Sequence, residues 1–484
     1  MITLDHICYA YPQSSKENLN DITMEIQDGE AVALIGLSGC GKTTITRILN
    51  GLAYKFFSGK MDGCISINGI DPTKKELYEI GRVIGSIFQN PKSQFFAEVV
   101  EDEIAFGLEN YGIERTEIVK HITDSLRMIN GETLRTRNLF QFSSGERQKV
   151  AIASINALDP PVYVFDEPSA NLDMASVEAL KRLMALLKKK GKTLIVSEHR
   201  IYYLKDIIDR YYYIEDGKII RSYTKDTFEH SPVEFFQGLG LRLYSLDCIE
   251  PHGKTMSGTR RLKIDNISFS YNRQSLLENL SYCFTSDIIY GIIGGNGAGK
   301  STFAKILSGL LHEKGGSVYS CGKDSCNDIK LNCRTRRKTI YYLSNNLDSN
   351  LFEISAAEEL RLNDPVADTA EILKDYCLDS VADTHPQILS GGQKQRLVIA
   401  AASLLKRDAY IFDEPTSGLD GKNMRLVADK MRELQAQDKI VIVISHDYEF
   451  LMEVCSIVLH LEGNFTEYIA ATDKEKILNI LQKE

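Results

Sequence analysis

The chain lacks any uninterrupted apolar run near the ~20 residues that a membrane-spanning helix needs, so no such helix is expected. Its first residues, MITLDHICYAYPQ, lack the basic start and apolar stretch of a secretory signal, and a cytosolic protein is the expectation. Ten cysteines are present without the paired spacing of a disulfide framework, which fits a reducing compartment. Cys321, Cys326 and Cys333 stand as C-x4-C-x6-C and lack the C-x2-C pair of zinc sites, so ordinary reduced cysteines are expected there. An excess of positive charge is missing too. The net charge of −9 does not favour nucleic acid, whose binding relies on clustered Lys and Arg. The short basic runs Lys181–Lys192 and Arg334–Lys338 read as solvated helix ends.

What is present is repetition. A chain of 484 residues is too long for one ordinary core. GLSGCGKTT (Gly36–Thr44) recurs as GGNGAGKST (Gly294–Thr302), and VYVFDEPSANLD (Val162–Asp173) as AYIFDEPTSGLD (Ala409–Asp420). LIVSEH ending at His199 recurs as VIVISH ending at His446, and FSSGERQKVAIA (Phe142–Ala153) as LSGGQKQRLVIA (Leu389–Ala400). Ser143 and Ser390, Asp166 and Asp413, and His199 and His446 each stand 247 residues apart, while Lys42 and Lys300 stand 258 apart. The second copy is therefore 11 residues shorter between its first and second motifs. Two homologous domains follow, 1–225 and 261–484, with 226–260 between them free of any repeated motif and read as linker.

Each glycine-rich loop lies between an apolar strand (Ala31–Ile35; Ile288–Ile293) and a predicted helix, the context a phosphate-binding P-loop demands. Gly36, Gly39 and Gly41, with Ser38 and Cys40, let the backbone curl so that N–H groups face phosphates, and the helix start adds positive potential. Gly294, Gly297 and Gly299, with Asn296 and Ala298, repeat the device. Lys42 and Lys300 would reach the terminal phosphates, and the hydroxyls of Thr43 and Ser301, followed by Thr44 and Thr302, would meet Mg²⁺. Asp166 and Asp413 end apolar strands, where a carboxylate can hold Mg²⁺ through water. Glu167 and Glu414 follow directly and are placed to polarise an attacking water. His199 and His446 end the next strands, at positions suited to a γ-phosphate contact.

These motifs together resemble the ATP-binding cassette proteins, with two nucleotide-binding domains in one chain. The resemblance implies two α/β P-loop cassettes, each with a RecA-like core, an antiparallel β portion (ITLDHICYAY; LKIDNISFSY) and a helical insert. It identifies FSSGE and LSGGQ as signature motifs, in which Ser143 and Gly145, or Ser390, Gly392 and Gln393, would touch ATP held by the opposite P-loop. The chain would thus form its own pseudo-dimer of cassettes. Tyr11 and Tyr271 match an adenine-stacking aromatic. Gln89 matches the glutamine that touches Mg²⁺, and Asn345 falls in its place in the second copy, one methylene shorter. In the pairing the family implies, one site is complete, while the other combines Asn345 with the altered signature. There Ser144 replaces Gly391, and Glu146 replaces Gln393, bringing up to ~2 kcal/mol of repulsion toward phosphate at ~8 Å.

The stretch FQNPKSQFFAEVVEDEIAFGLEN (Phe88–Asn110) resembles one subgroup, the ATPases of energy-coupling factor transporters for vitamins and metal ions. That resemblance implies a transmembrane coupling subunit, a small substrate-capturing membrane subunit, and residence at the cytoplasmic face of a membrane. Sugar-importer ATPases and soluble tandem cassettes acting on ribosomes are the alternatives. The former match the FQNP and EDEIAFG text less well, and the latter usually carry a longer, strongly basic linker. A cysteine inside the P-loop, Cys40, predicts that alkylation there blocks nucleotide. The final stretch Ala470–Glu484 reads as an amphipathic helix packed on the cassette.

Overall fold

A computed structural model describes residues 1–12, 17–272, 274–321 and 328–483; Cys326 falls outside them. Two entirely buried strands, Ala31–Gly36 and Ile289–Ile293, set the architecture. Aliphatic runs with no exposed face suit parallel sheets covered on both sides. In the first cassette that strand is fourth of six, in the order Ile84–Ile87, Val162–Asp166, Thr193–Ser197, Ala31–Gly36, Arg210–Glu215, Lys218–Thr224. Five run parallel and the last is antiparallel. The second cassette repeats the order with Ile340–Leu343, Ala409–Asp413, Ile440–Ile444, Ile289–Ile293, Ile457–Glu462 and Asn464–Ala470.

An antiparallel sheet is built on each cassette's N-terminal strand. In the first it joins Leu19–Ile26, Ile2–Ala10 and Lys60–Ile67; in the second, Gln274–Thr285, Arg261–Tyr271, Gly315–Cys321 and Ile329–Lys330. The alternation that buries Ile2 and Leu4 slips before Ile7, at a bulge where His6 takes φ 52°. The second copy slips at the same place, between Ile264 and Ile267, with Asn266 at φ 53°. The P-loop helix buries Ile45, Ile48 and Leu49 against both sheets of its cassette.

The helical portions differ in size. Val100–Asn110 and Arg115–Met128, of 11 and 14 residues, become Ala356–Asn363 and Thr369–Asp375, of 8 and 7, before the signature helices Ser144–Ala157 and Gly391–Leu404. Most of the 11-residue loss is therefore paid here. Both halves are α/β P-loop cassettes with a RecA-like core, an antiparallel β part and a helical part.

The body of the first compact unit runs through Ser245 and that of the second begins at Leu246, so the segment 226–260 is divided between them. Short helices Lys225–Glu229 and Val233–Gly238 bury Phe228 and Phe236, with Phe228 stacked on Tyr211 at 4.2 Å and Phe236 on Tyr244 at 5.9 Å. Residues 246–260 lie along the second unit. Gln435 Nε2 donates to the Lys254 carbonyl (3.0 Å), Lys474 Nζ to that of Ile249 (2.9 Å), and Thr259 N to Asp438 Oδ1 (2.8 Å). The C-terminal helix Lys474–Lys483 buries Ile477 and Leu481 against its own cassette. Among the described residues no helix is long and apolar enough to cross a membrane.

Candidate nucleotide sites

Each P-loop leaves the C-terminal end of its buried strand and closes onto an eight-residue helix, Lys42–Leu49 or Lys300–Leu307. The leading glycines answer to a neighbouring strand. A Cβ at Gly36 would sit 2.1 Å from the Ile214 carbonyl oxygen, and one at Gly294 2.3 Å from that of Leu461. Gly39 and Gly297, at φ 82° and 88°, instead have open space around them, where an anion can approach. Gly41 and Gly299 are left-handed caps, φ 111° and 99°, that turn the chain into helices whose first N–H groups point back at the loop. Ser38 and Cys40 lie in one loop, Asn296 and Ala298 in the other, with Thr44 and Thr302 in the first helical turns.

Lys42 is 4% exposed and folds over its loop, donating to the carbonyls of Gly36 (3.0 Å) and Leu37 (2.9 Å). Lys300 does the same to Gly294 and to Gly295 (3.0 Å for the latter). The Cys40 thiol lies 3.8 Å from Lys42 Nζ, and burial pushes it up.

Beside each lysine a hydroxyl meets a carboxylate. Thr43 Oγ1 donates to Asp166 Oδ1 (3.0 Å) and Ser301 Oγ to Asp413 Oδ2 (2.7 Å). Among the described residues no group of three or more His, Cys, Asp or Glu could hold a metal by itself. A hydroxyl and one carboxylate next to a phosphate-shaped loop fit Mg²⁺, which keeps waters and takes most remaining oxygens from the phosphates. Burial, then the charge of Glu167, pushes the Asp166 carboxyl up to about 6. Asp413 is raised as well, burial again leading, against the hydroxyls of Ser301 and Tyr342. Tyr342 donates to Asp413 Oδ2 at 2.9 Å. Motif reading passes over it, although it stands three residues before Asn345. Its counterpart Ser86 accepts instead from Asn50 Nδ2 (3.2 Å).

Glu167 and Glu414 both sit in left-handed backbone, φ 45° and 52°, a strained conformation for a residue with a Cβ. Their surroundings differ. Gln89 Nε2 donates to Glu167 Oε2 (2.8 Å), and His199 Nε2 lies 3.3 Å from Oε1. Burial is the strongest influence on Glu167 and raises it, but His199 and then Lys42 outweigh that and hold it low, as a carboxylate. In the second cassette Glu414 Oε1 accepts from the backbone N–H of His446 (3.1 Å) and Oε2 from Ser445 Oγ (3.3 Å), while His446 Nε2 lies 3.8 Å away. Asn345 is exposed and hydrogen-bonds to none of the described residues. So the structure gathers Gln89, Glu167 and His199, and gathers Glu414 with His446, but leaves Asn345 apart.

Ser143 and Ser390 N-cap the signature helices, each in a capping box with the residue three positions on. Glu146 Oε2 accepts from Ser143 N (3.0 Å), and Gln393 Oε1 from Ser390 N (2.9 Å). Glu146 is also met by Arg137 Nη1 (3.1 Å), which lies over the Phe142 ring at 4.7 Å. Position 137 is Thr384 in the second copy, so charge and counter-charge arrive together. Burial raises Glu146 most, yet the Ser143 N–H and hydroxyl and then Arg137 bring it below the usual range. Arg137 thus supplies Glu146 with a counter-charge inside its own cassette. A Cβ built at Gly391 meets no protein atom within 4 Å, so Ser144 is accommodated; Gly145, by contrast, is 2.2 Å from Ser176 Oγ by the same construction. Gly392 is buried in its helix.

The two adenine-side tyrosines also differ. Tyr11 is edge-on to Tyr9 (4.9 Å) and Phe57 (5.7 Å), and its hydroxyl accepts from Arg47 Nη1 (2.9 Å). Tyr271 is half-exposed and, among the described residues, edge-on to Phe269 alone (4.9 Å).

Comparison with known proteins agrees with this arrangement. The ABC transporter family model matches residues 19–170 and 277–417. A putative ABC transporter ATP-binding protein of Treponema denticola is 38% identical over 475 residues, covering 96% of each chain. A putative HMP/thiamine import ATP-binding protein of Bacillus subtilis is 28% identical, over 95% of this chain and 90% of that one. An archaeal ribosome recycling factor, solved with a ribosomal stalk protein, matches 96% of this chain and 90% of its own with a TM-score of 0.64; at 22% identity that likeness is one of fold. With two P-loops, two Asp-Glu strand ends and two capped signature helices in one chain, the protein belongs to the ABC transporter family and is a tandem ATP-binding cassette ATPase.

Proposed function

We propose that this ATPase energises an energy-coupling factor importer from the cytoplasmic face of a membrane, driving uptake of a vitamin or a metal ion. The segment Phe88–Asn110 carries the reading. Gln89 is bonded to Glu167, and Glu103, 5% exposed, accepts from the N–H groups of Phe96 and Ala97 at 2.8 Å. This brace leaves Phe96 and Phe106 stacked at 4.7 Å on the surface, with Phe96 76% exposed. A partner helix seated on that aromatic pair would press on a loop tied directly to the glutamate. The second copy keeps the brace, with Glu359 accepting from Phe352 N (2.8 Å) and Glu353 N (2.9 Å). Similarity to an import ATP-binding protein supports the same class.

In this reading ATP occupies both P-loops. Thr43, Gln89 and Asp166, or Ser301 and Asp413, would hold Mg²⁺, which would draw negative charge from the phosphates. Glu167 and Glu414 polarise the attacking water, His199 and His446 contact the γ-phosphate, and Ser143 and Ser390 reach the ATP of the opposite cassette. ATP closes the two cassettes on one another and hydrolysis releases them. The partners are a transmembrane coupling subunit and a small substrate-capturing membrane subunit, not nucleic acid. Affinity purification of the tagged chain from solubilised membranes tests this. Recovery of a multi-helix coupling subunit supports it; ribosomal proteins, or no membrane partner, overturn it.

A further inference from the structure

The two glutamates that follow the strand-end aspartates are anchored to different atoms, and the residue standing just before each histidine accounts for the difference. In the first cassette that residue is Glu198, 2% exposed. Its Oε1 accepts from the backbone N–H groups of His199 (2.7 Å) and Arg200 (3.1 Å), and its Oε2 from Tyr203 (2.7 Å) and Ser169 N (3.3 Å). The His199 N–H is thereby taken. Glu167 is left to two side chains, Gln89 at 2.8 Å and His199 Nε2 at 3.3 Å.

In the second cassette the same position is Ser445, too short to reach the histidine's own N–H as a carboxylate does. The carboxylate that braces this loop has moved to Asp447, which accepts from Thr416 Oγ1 (2.8 Å) and Phe450 N (3.3 Å). Thr416 is the counterpart of Ser169, so the brace is kept while its acceptor shifts by two residues. The N–H of His446 now meets Glu414 at 3.1 Å, and Ser445 Oγ holds the other oxygen at 3.3 Å.

We infer that the residue before the histidine sets where each glutamate rests: Glu198 keeps Glu167 off the backbone, and Ser445 docks Glu414 onto it. A general base must present a carboxylate oxygen to water. Gln89 is an exposed side chain on a loop and can swing away; a backbone N–H at the end of a buried strand cannot. Glu414 is therefore tied to backbone through one oxygen and has less freedom than Glu167 to turn toward water. Glu198 and Ser445 are positioning residues, and the inference rests on Glu167 and Glu414 being the groups that polarise water.

The test uses the full-length chain carrying Glu414→Gln, so that only the first cassette turns over. Glu198→Ser should lower kcat about tenfold with KM within twofold, and Glu198→Gln, which keeps an acceptor for the His199 N–H, should recover all but about threefold. In the Glu167→Gln chain, Ser445→Glu should raise the second cassette's kcat about tenfold. Nucleotide binding by each variant, unchanged within twofold, reports that it is folded. An unchanged kcat in Glu198→Ser, or a loss that falls on KM instead, overturns the inference while the catalytic assignment stands. A chain whose turnover survives Glu167→Gln and Glu414→Gln together overturns the assignment, and the inference with it.

Discussion

Set side by side, the two cassettes spell nearly the same words and hold them differently. In the first, the glutamate is met by the side chains of Gln89 and His199, Asp166 accepts from the Thr43 hydroxyl, and the signature carries an Arg137–Glu146 pair. In the second, the glutamate rests on the His446 backbone and Ser445, Asp413 is met by the Tyr342 phenol as well as Ser301, and the signature has the neutral Gln393. The motif letters thus fix which groups are present. Residues beside those groups, Glu198, Tyr342 and Arg137, differ between the copies and fix how the groups are held.

The largest test of that contrast is to remove each glutamate in turn. Glu167→Gln should lower steady-state ATP turnover by about a hundredfold, since a positioned base contributes that order, whereas Glu414→Gln should lower it by no more than about threefold. Equal losses would show that the differing anchors have no kinetic consequence.

Asp438 tests whether residues 246–260 belong energetically to the second unit alone. It accepts from Thr259 N and Oγ1 and from Ser286 Oγ, beside Arg260 Nε at 3.8 Å. Burial, the largest influence, raises its carboxyl, but these donors outweigh it and hold it down to about 2. A depressed carboxyl stabilises above its unfolded value near 4 and loses that contribution as pH falls toward 2. Asp438→Ala should cost about 2 kcal/mol at neutral pH, the order for a hydrogen-bonded charge. Calorimetry and hydrogen exchange should place the loss in the second cassette and around Thr259, with the first cassette's transition unmoved. A shift in both transitions would break the assignment.

Tyr342 sharpens the comparison at the metal. Partners of a ligating carboxylate fix its orientation, and losing one typically costs 10–100-fold in metal affinity. In a chain whose first P-loop is disabled by Lys42→Ala, Tyr342→Phe should raise the Mg²⁺ concentration for half-maximal nucleotide binding about tenfold. Metal-free nucleotide binding should not change. Tighter Mg²⁺ dependence would mean the phenol competes with the metal instead of orienting its ligand.

Much of the site was legible because its parts are local. A strand, a glycine loop and a lysine occupy one short stretch, and the repeat confirms the frame. The buried strands Val162–Asp166 and Ala409–Asp413 were legible from their apolar runs for the same reason. What could not be read was which distant atoms meet. Nothing in VSEH announces that Glu198 takes the His199 N–H, because that depends on how the strand end turns. Phe228 was visibly apolar in a segment read as linker, but its partner Tyr211 lies on a strand of the first cassette's six-stranded sheet. Arg137 was within reach of sequence reading: aligning the halves shows Arg137 and Glu146 replacing Thr384 and Gln393 together.

That pair gives the smallest effect and the narrowest test. Arg137 and Glu146 are both partly exposed, so their attraction is screened, and exposed ion pairs are worth ~0.2–1 kcal/mol. In the function proposed above, this signature would meet the ATP held by Lys300, and an uncompensated Glu146 would oppose its phosphates. Arg137→Thr should then weaken nucleotide binding at the second P-loop about threefold at low ionic strength, measured with the first disabled. The loss should fade in 0.5 M salt, where the screening length falls to about 4 Å. Adding Glu146→Gln, which recreates the second cassette's neutral pair, should restore affinity because the charge that needed balancing is gone. If the double variant binds no better than Arg137→Thr, the arginine acts through its packing on Phe142, and the two signatures differ in shape and not in charge.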